Sequence, residues 1–416
     1  MHICSFDWVN GGLKTPVKFL DRDSTEYSLT QAADYNRSEE RMARMTLEKT
    51  FALLDPVWGG AYQYSTQGQW NIPHFRKTMA SQSGHLRLYA LAYSLWKQDR
   101  YIASGLLIKD YLKRFLTSPK GAFYTGQNDC IDGMESTRFF SLDDQQRIKA
   151  GMPDIDKRIL TRENGWAIEA LATFYEFTGN KDALSRARIA ADWIYSHRFL
   201  AEGGYRHDGT DNNASYLADT LAMGRAMLQL YRVTTEDKWL RNAINAADYI
   251  SQVFKQRTGG YINTVCSNHH QRPVLQIDDN ISVTRFFNLL SFYSGKEKYR
   301  DHARHGLCYL SIPQVATARL EEAGILLIDH ELSETPLEIT IHGDKADPDA
   351  NALFQIALRE FGWYKLIKWK NHIPANENVS LDNKTTTHAS AFVKKEDYSS
   401  SVIQKPEALI SLLRKI

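Results

Sequence analysis

One histidine and two aspartates are the residues in this sequence whose types best suit catalysis. His74, Asp129 and Asp219 each lie at or near the start of a segment with helical periodicity. Hydrolysis of a glycosidic bond needs two carboxyl groups, about 5 Å or about 6.5–9.5 Å apart. Epimerisation beside a carbonyl needs a base and an acid on opposite faces of one carbon, and histidines that titrate near neutral pH suit this role. Both reactions are open to these residue types.

A second set of residues could bind a flat, polar ligand such as a sugar ring. The set comprises Trp58, Tyr62, Trp70, Tyr205 and Tyr261, together with Glu163, Asn164, His207 and Asn280. Each residue also has a simpler interpretation. The aromatic residues are suited to packing, and Asn164 and Asn280 to the N-caps of helices. A carboxylate in a first helical turn, such as Asp219, is favoured by the helix dipole alone.

The cysteines and paired histidines give little support for a metal or cofactor. Cys4, Cys130, Cys266 and Cys308 lie far apart without a CxxC pair, which argues against a zinc site and against a disulfide scaffold. No histidine partner is identifiable for Cys130 as a nucleophile. His269-His270 has no carboxylate at ligand spacing on a helix. We therefore expect no metal and no cofactor.

Composition and charge indicate an ordinary globular protein that works without nucleic acid or a membrane. The chain has 51 basic and 49 acidic residues and a net charge of +2, with 43% hydrophobic and 24% charged residues. No apolar run approaches the roughly 18 residues that span a bilayer, and the N-terminus has no secretory signal pattern. We expect a cytoplasmic protein.

A repeated sequence pattern indicates the helices on which the candidate residues lie. The aromatic marks Tyr111, Trp193, Tyr249 and Tyr309 are separated by 82, 56 and 60 positions, and each follows a polar turn and precedes a glycine-aromatic element or the end of the pattern. A unit of about 55–60 residues holds two helices and their turns. The first helix of a unit has an apolar stripe. In at least one copy the second helix is rich in alanine. The sequence therefore predicts stacked helix hairpins.

Closure of these hairpins into a double ring is the favoured architecture, an (α/α)6 toroid. Elements such as Gly203-Gly-Tyr205 suit the mouth of a funnel, where backbone passes close to a ligand. The segment 129–159 is an insertion predicted to form a loop over that mouth. We expect residues 1–330 to form the barrel, with short β-hairpin loops. Residues 331–416 form a small α/β extension with strands near Leu337–His342 and Ala389–Val393.

Several short motifs resemble those of the spermatogenesis-associated protein 20-like family, also described as thioredoxin-domain-containing proteins. They include Trp70-Asn-Ile-Pro73-His74-Phe75, Phe123-Tyr-Thr-Gly-Gln-Asn-Asp129, Ile159-Leu-Thr-Arg-Glu-Asn164-Gly165 and Pro406-Glu-Ala-Leu409, in the family's order. The resemblance implies a barrel similar to N-acylglucosamine 2-epimerases and six-hairpin glycosidases. It also implies a thioredoxin-like domain with a CxxC motif, which this sequence does not contain. Arg76 stands where the family typically has an acidic residue.

Two functions follow as hypotheses. The first is a carbohydrate-active protein, epimerase-like or glycosidase-like, that binds a sugar or glycan in the funnel and uses His74 and Asp219 in one pocket. The second is a non-catalytic barrel that binds a glycan, a metabolite or a separately encoded thioredoxin-like partner, which the absent CxxC motif and Arg76 favour.

Overall fold

The computed structural model describes residues 2–210, 214–266, 272–360, 362, 364–371 and 389–415. In this part of the chain, six inner helices pack side by side and close a ring, because the last of them contacts both the fifth and the first. These inner helices are α1 (Arg22–Ala33), α3 (Met79–Trp96), α7 (Thr161–Thr178), α9 (Leu217–Thr234), α11 (Ile277–Ser294) and α14 (Gly324–Ser333).

Five outer helices follow the first five inner helices in sequence and pack back against them. They are α2 (Arg37–Thr50), α4 (Asp99–Tyr111), α8 (Lys181–Arg198), α10 (Asp237–Val253) and α12 (Glu297–Leu310). Tight turns join the hairpins, with Gly179 and Gly295 in the left-handed region at the ends of α7 and α11. The predicted (α/α)6 toroid is confirmed. In the sixth unit, α14 runs into a strand rather than an outer helix.

Short strands lie at the face of the barrel where the inner helices begin. β1 (Tyr64–Ser65) pairs with β2 (Pro73–His74), and β6 (Ala214–Tyr216) pairs with β7 (Thr264–Cys266). β3 (Lys77–Thr78), β4 (Gly126–Gln127) and β5 (Ile155–Asp156) form a third small sheet. We call this face the mouth of the barrel.

The insertion at 129–159 is a docked element and not simply a loop. It contains α5 (Ser136–Phe140) and α6 (Asp144–Ala150). The fully buried Arg147 places its guanidinium 2.6 Å from the carboxylate of Asp55, which also accepts a hydrogen bond from Lys77 at 2.7 Å. Because a buried charge is stable only when it is paired, this cluster fixes the insertion to the barrel.

The C-terminal residues form a sheet and three of the remaining helices. Strands β8 (Leu337–His342), β9 (Lys365–Lys370), β10 (Ser390–Lys395) and β11 (Tyr398–Ser399) have the order β11-β10-β8-β9. The short helix α13 (Pro313–Ala316) precedes α14. The helix α15 (Pro348–Arg359) packs on the sheet, and α16 (Pro406–Leu413) packs against α15. Lys365 of β9 is fully buried beside Glu176, at the end of the barrel opposite the mouth. Among the described residues, no helix has the length and apolar character needed to cross a membrane.

Candidate functional site

A repeated clasp holds the backbone at the mouth. The fourth residue of α3, α7, α9 and α11 bonds the glycine-aromatic segment that precedes its own helix, and these residues are Gln82, Asn164, Thr220 and Asn280. Asn280 accepts from the amide of Tyr261 at 2.8 Å and donates to its carbonyl at 3.0 Å. Asn164 makes the same pair of bonds with Phe123, at 2.7 and 3.0 Å.

The clasp corrects two expectations about Asn164 and Asn280. Both lie inside a helix rather than at its N-cap, because α7 begins at Thr161 and α11 at Ile277. Both are fully buried, and their amide groups are used by backbone atoms. Their side chains therefore hold the loops in place and do not offer free groups to a substrate.

The glycines of these loops approach neighbouring outer helices rather than a ligand. A Cβ on Gly59, which has a φ of +74°, would lie 2.3 Å from the carbonyl oxygen of Leu107. A Cβ on Gly203, with a φ of +104°, would lie 2.7 Å from the carbonyl oxygen of Asn245. The glycines are needed for this close packing and for the left-handed backbone. Contact of these loops with a ligand stays a prediction.

The five predicted aromatic platforms are all buried in packing. Trp58, Tyr62, Trp70, Tyr205 and Tyr261 expose 4% or less of their surfaces. The indole of Trp58 donates to Asp144 of α6 at 2.8 Å, and that of Trp70 donates to the carbonyl of Asn10 at 2.8 Å. With so little surface exposed, these rings cannot stack on a sugar in this structure.

His74 and Asp129 meet at the rim of the mouth. The imidazole Nε2 of His74 lies 3.5 Å from the carboxylate of Asp129, and the ring stacks on Tyr64 at 4.8 Å between centroids. The pairing of β3 with β4 brings the two segments together. Both side chains are partly exposed. They form one of two histidine-aspartate pairs among the predicted residues.

His207 and Asp219 form the second pair, over the start of α9. Asp219, the third residue of α9, is 1% exposed, and its carboxylate lies 2.9 Å from Nδ1 of His207. It also accepts the backbone amide of Arg162 at 2.9 Å. The hydrogen bond that the imidazole donates to Asp219 raises the pKa of His207, and burial raises the pKa of Asp219. Since Nδ1 is engaged, Nε2 is the ring nitrogen left for proton transfer.

This second pair lines a cavity of about 300 Å³, which we call the dyad cavity. Its lining residues are Arg162, His207, Tyr216, Ala218, Asp219, Asn263, Gln276 and Asp279. Burial and the neighbouring Asp278 raise the pKa of Asp279 to about 6. His74 and Asp129 do not line this cavity, so the structure separates the predicted catalytic residues His74 and Asp219. Glu163 is 5% exposed beside it and pairs with Arg162 at 2.7 Å.

A ring of charges closes the barrel below the mouth. The ninth residues of α3, α7, α9 and α11 are Arg87, Glu169, Arg225 and Arg285, and they meet near the barrel axis with Glu26 of α1 and Glu331 of α14. Arg285 lies 2.7 Å from both Glu26 and Glu331, and Glu169 accepts from Arg225 at 2.8 Å. We call these six residues the charge ring.

Above the charge ring lies a second cavity of about 270 Å³, the axial cavity, whose wall includes Trp166. Sequence reasoning missed both Trp166 and the ring. A signal is present in the sequence, since a charged residue recurs at the ninth position of four of the inner helices. His269 and His270 lie outside the described residues. Among the residues that are described, no three His, Cys, Asp or Glu side chains form a metal-binding group.

The (α/α)6 toroid is a fold that this chain shares with solved structures of sugar epimerases and of a sugar isomerase. A sugar epimerase from a ruminal bacterium superposes with a TM-score of 0.59 at 13% identity, covering 75% of this chain and 82% of the other. Cellobiose 2-epimerase of Bacillus thermoamylovorans gives 0.58 at 12%, covering 74% and 82%, and a D-mannose isomerase gives 0.52 at 16%, covering 70% and 72%. At these identities the likeness shows the fold alone.

Sequence relatives confirm the predicted resemblance over part of the chain. Human spermatogenesis-associated protein 20 is 33% identical over 120 residues, which cover 27% of this chain and 15% of that protein. An uncharacterised Caenorhabditis elegans protein is 20% identical, covering 72% of this chain and 56% of its own length. The chain thus spans little more than half of that relative. No family model matches the sequence.

Proposed function

We propose that this protein is a sugar epimerase or isomerase that moves a proton at the carbon beside the carbonyl of a reducing sugar. The supporting observation is the His207–Asp219 dyad, which lines a cavity at the mouth together with Asp279. A histidine oriented by a buried carboxylate is suited to general acid-base catalysis near neutral pH. The toroid shared with sugar epimerases is consistent with this function.

The reaction needs a group that takes the proton from the carbon and a group that protonates the carbonyl oxygen, and we assign both roles to residues that line the dyad cavity. Nε2 of His207 takes the proton from the carbon, and the C–H electron pair moves into an enediol. Asp219 stabilises the imidazolium that forms. Asp279, whose pKa is raised to about 6, protonates the carbonyl oxygen. The guanidinium of Arg162 lines the same cavity and stabilises negative charge on that oxygen. If the enediol rotates in the cavity, return of the proton from the imidazolium to its other face, with the ionised Asp279 taking back the proton of the original carbonyl oxygen, gives an epimer. Return of the proton to the neighbouring carbon, with the ionised Asp279 taking the proton of the hydroxyl on the first carbon, gives an isomer.

Hydrolysis is less well supported by this cavity. A glycosidase needs two carboxyl groups that flank one bond. Asp219 is almost fully buried, and it accepts hydrogen bonds from His207 and from the amide of Arg162. Asp279 is then the one carboxyl group lining the dyad cavity that makes no hydrogen bond or ion pair in the described part of the chain.

Hydrogen exchange in deuterium oxide tests the proposal. The protein is incubated with neutral reducing mono- and disaccharides, and proton NMR follows deuterium incorporation beside the carbonyl. We expect exchange with the native protein and a loss of about 10²–10⁴-fold in His207→Gln. His197→Gln is the matched control, because the imidazole of His197 lies on the outer helix α8, where it bonds the carbonyl of Trp193 and stacks on its ring.

The outcomes separate the candidate functions. Exchange that persists at the native rate in His207→Gln contradicts the assigned base. Sugar binding without exchange in the native protein contradicts catalysis and supports the non-catalytic glycan-binding barrel. Release of a free sugar from a glycoside without exchange supports a hydrolase instead.

A further inference from the structure

The axial cavity and the dyad cavity adjoin. Arg162 lines the dyad cavity, and Trp166, one turn further along α7, lines the axial cavity. On α11 the consecutive residues Asp279 and Asp278 line the dyad and axial cavities, respectively. The guanidinium of Arg162 lies 4.7 Å from the ring centroid of Trp166, so the two walls are in contact. A ligand longer than one sugar ring could occupy both cavities.

The charges around the axial cavity are almost all satisfied by each other. Arg87 and Arg285 pair with Glu26 at 2.7 Å, and Arg319 pairs with Asp278 at 2.6 Å. Glu322 also pairs with Arg319, at 3.1 Å. Paired groups keep free donor and acceptor positions for hydroxyl groups but present little net charge to a ligand.

Two groups in the axial cavity have no ion pair within the described residues, and they have opposite charge. Arg22 is exposed, with its guanidinium 5.7 Å from the ring centroid of Trp166. Asp21 is its neighbour in the chain, and burial raises the pKa of this carboxyl to about 6. Because these residues are adjacent, the cavity has no concentrated charge of one sign. An ionic ligand gains little here over a neutral one.

Apolar surface completes the lining. Trp166 is half-buried, and Phe19 is 42% exposed at the same cavity. Sugar rings present an apolar face and a rim of hydroxyls, which match an aromatic surface surrounded by charged hydrogen-bonding groups. The combination differs from a phosphate site, where several unpaired arginines would face the cavity, because Arg22 is the one arginine of this lining without an ion pair in the described part of the chain and it lies beside the carboxyl group of Asp21.

We propose that the axial cavity binds the second, uncharged unit of a neutral disaccharide or longer saccharide, packed against Trp166, while the reducing unit lies at His207. This inference rests on the proposed function for the position of the reducing unit. It assigns the substrate class as a neutral oligosaccharide and excludes sugar phosphates and uronic acids as preferred ligands.

Calorimetric titration with defined sugars tests the inference. The probes are a panel of glucose- and mannose-containing reducing disaccharides, the parent monosaccharides, glucose 6-phosphate and glucuronate. We expect at least one disaccharide to bind 10-fold or more tightly than its monosaccharide. Trp166→Ala should weaken disaccharide binding about 10-fold, which corresponds to about 1.4 kcal/mol, and leave monosaccharide binding unchanged. Trp193→Ala is the matched control, because Trp193 also lies beside a guanidinium, that of Arg198 at 5.0 Å, but on the outer helix α8.

A second variant guards against misfolding of Trp166→Ala. Ser282 lines the axial cavity from α11, and Ser282→Phe should block the disaccharide while the monosaccharide still binds. Equal affinity for disaccharides and monosaccharides, tighter binding of the phosphate or uronate, or no effect of either variant overturns the inference. Disaccharide binding that depends on Trp166, without deuterium exchange, retains the inference and rejects the proposed reaction. Deuterium exchange with monosaccharides alone supports the proposed reaction and rejects the inference about the axial cavity.

Discussion

Replacement of Asn280 by alanine tests the clasp that holds the mouth. The substitution removes the acceptor of the Tyr261 amide, at 2.8 Å, and the donors to the carbonyls of Tyr261 and Gln276, at 3.0 and 2.8 Å. Gln276 retains a bond from the backbone amide of residue 280. Two buried backbone groups of Tyr261 therefore lose their side-chain partner. At about 1–3 kcal/mol for each unsatisfied group, we expect a loss of about 3 kcal/mol in the free energy of unfolding.

Urea unfolding followed by far-UV circular dichroism measures this loss. Asn351→Ala is the matched control, since Asn351 makes the same bond to the carbonyl four residues earlier, Asp347 at 3.0 Å, but in a more exposed helix. The control should lose less than about 1 kcal/mol, because water replaces the lost partners. If Asn280→Ala costs no more than Asn351→Ala, the clasp does not stabilise the loop and the reasoning is refuted.

Two further predictions concern the charges of the funnel. Arg285→Met leaves the buried Glu26 and Glu331 without their shared partner and should cost about 3–5 kcal/mol in urea unfolding, whereas Arg304→Met, at an exposed pair on α12, should cost under 1 kcal/mol. The folded-state pKa of Asp279 is raised to about 6 from 3.8, so its ionised form disfavours folding above pH 6. Asp279→Asn should therefore be more stable than the native protein at pH 7–8, with the gain vanishing as the pH falls towards 4; a gain that is constant with pH would contradict this assignment.

The helical ring could be predicted because its signals are local. Apolar stripes, polar turns and a repeated spacing determine which segments become helices and how they alternate. The starts of α7 and α11 are less accurate, because the observed N-caps lie four residues before Asn164 and Asn280, which the sequence suggests as caps and which act as clasps. The strands predicted near Leu337–His342 and Ala389–Val393 agree with β8 and β10 for the same reason.

The pairing of the site residues could not be predicted from the sequence. His207 and Asp219 were both candidates, but their contact depends on the path of the intervening loop and on the pairing of β6 with β7. The aromatic residues that were expected to stack on a ligand are buried in packing. Their residue types alone cannot distinguish a ring packed under a loop from one that faces a cavity. Trp166 shows the difference, since its neighbours on the inner face of α7 are set by closure of the ring.

A crystal structure with a neutral reducing disaccharide tests the central claim most directly. The proposed function predicts that the carbon beside the carbonyl lies about 3–3.5 Å from Nε2 of His207, with the second ring against Trp166. A sugar bound at the rim between His74 and Asp129, with the dyad cavity empty, would contradict it.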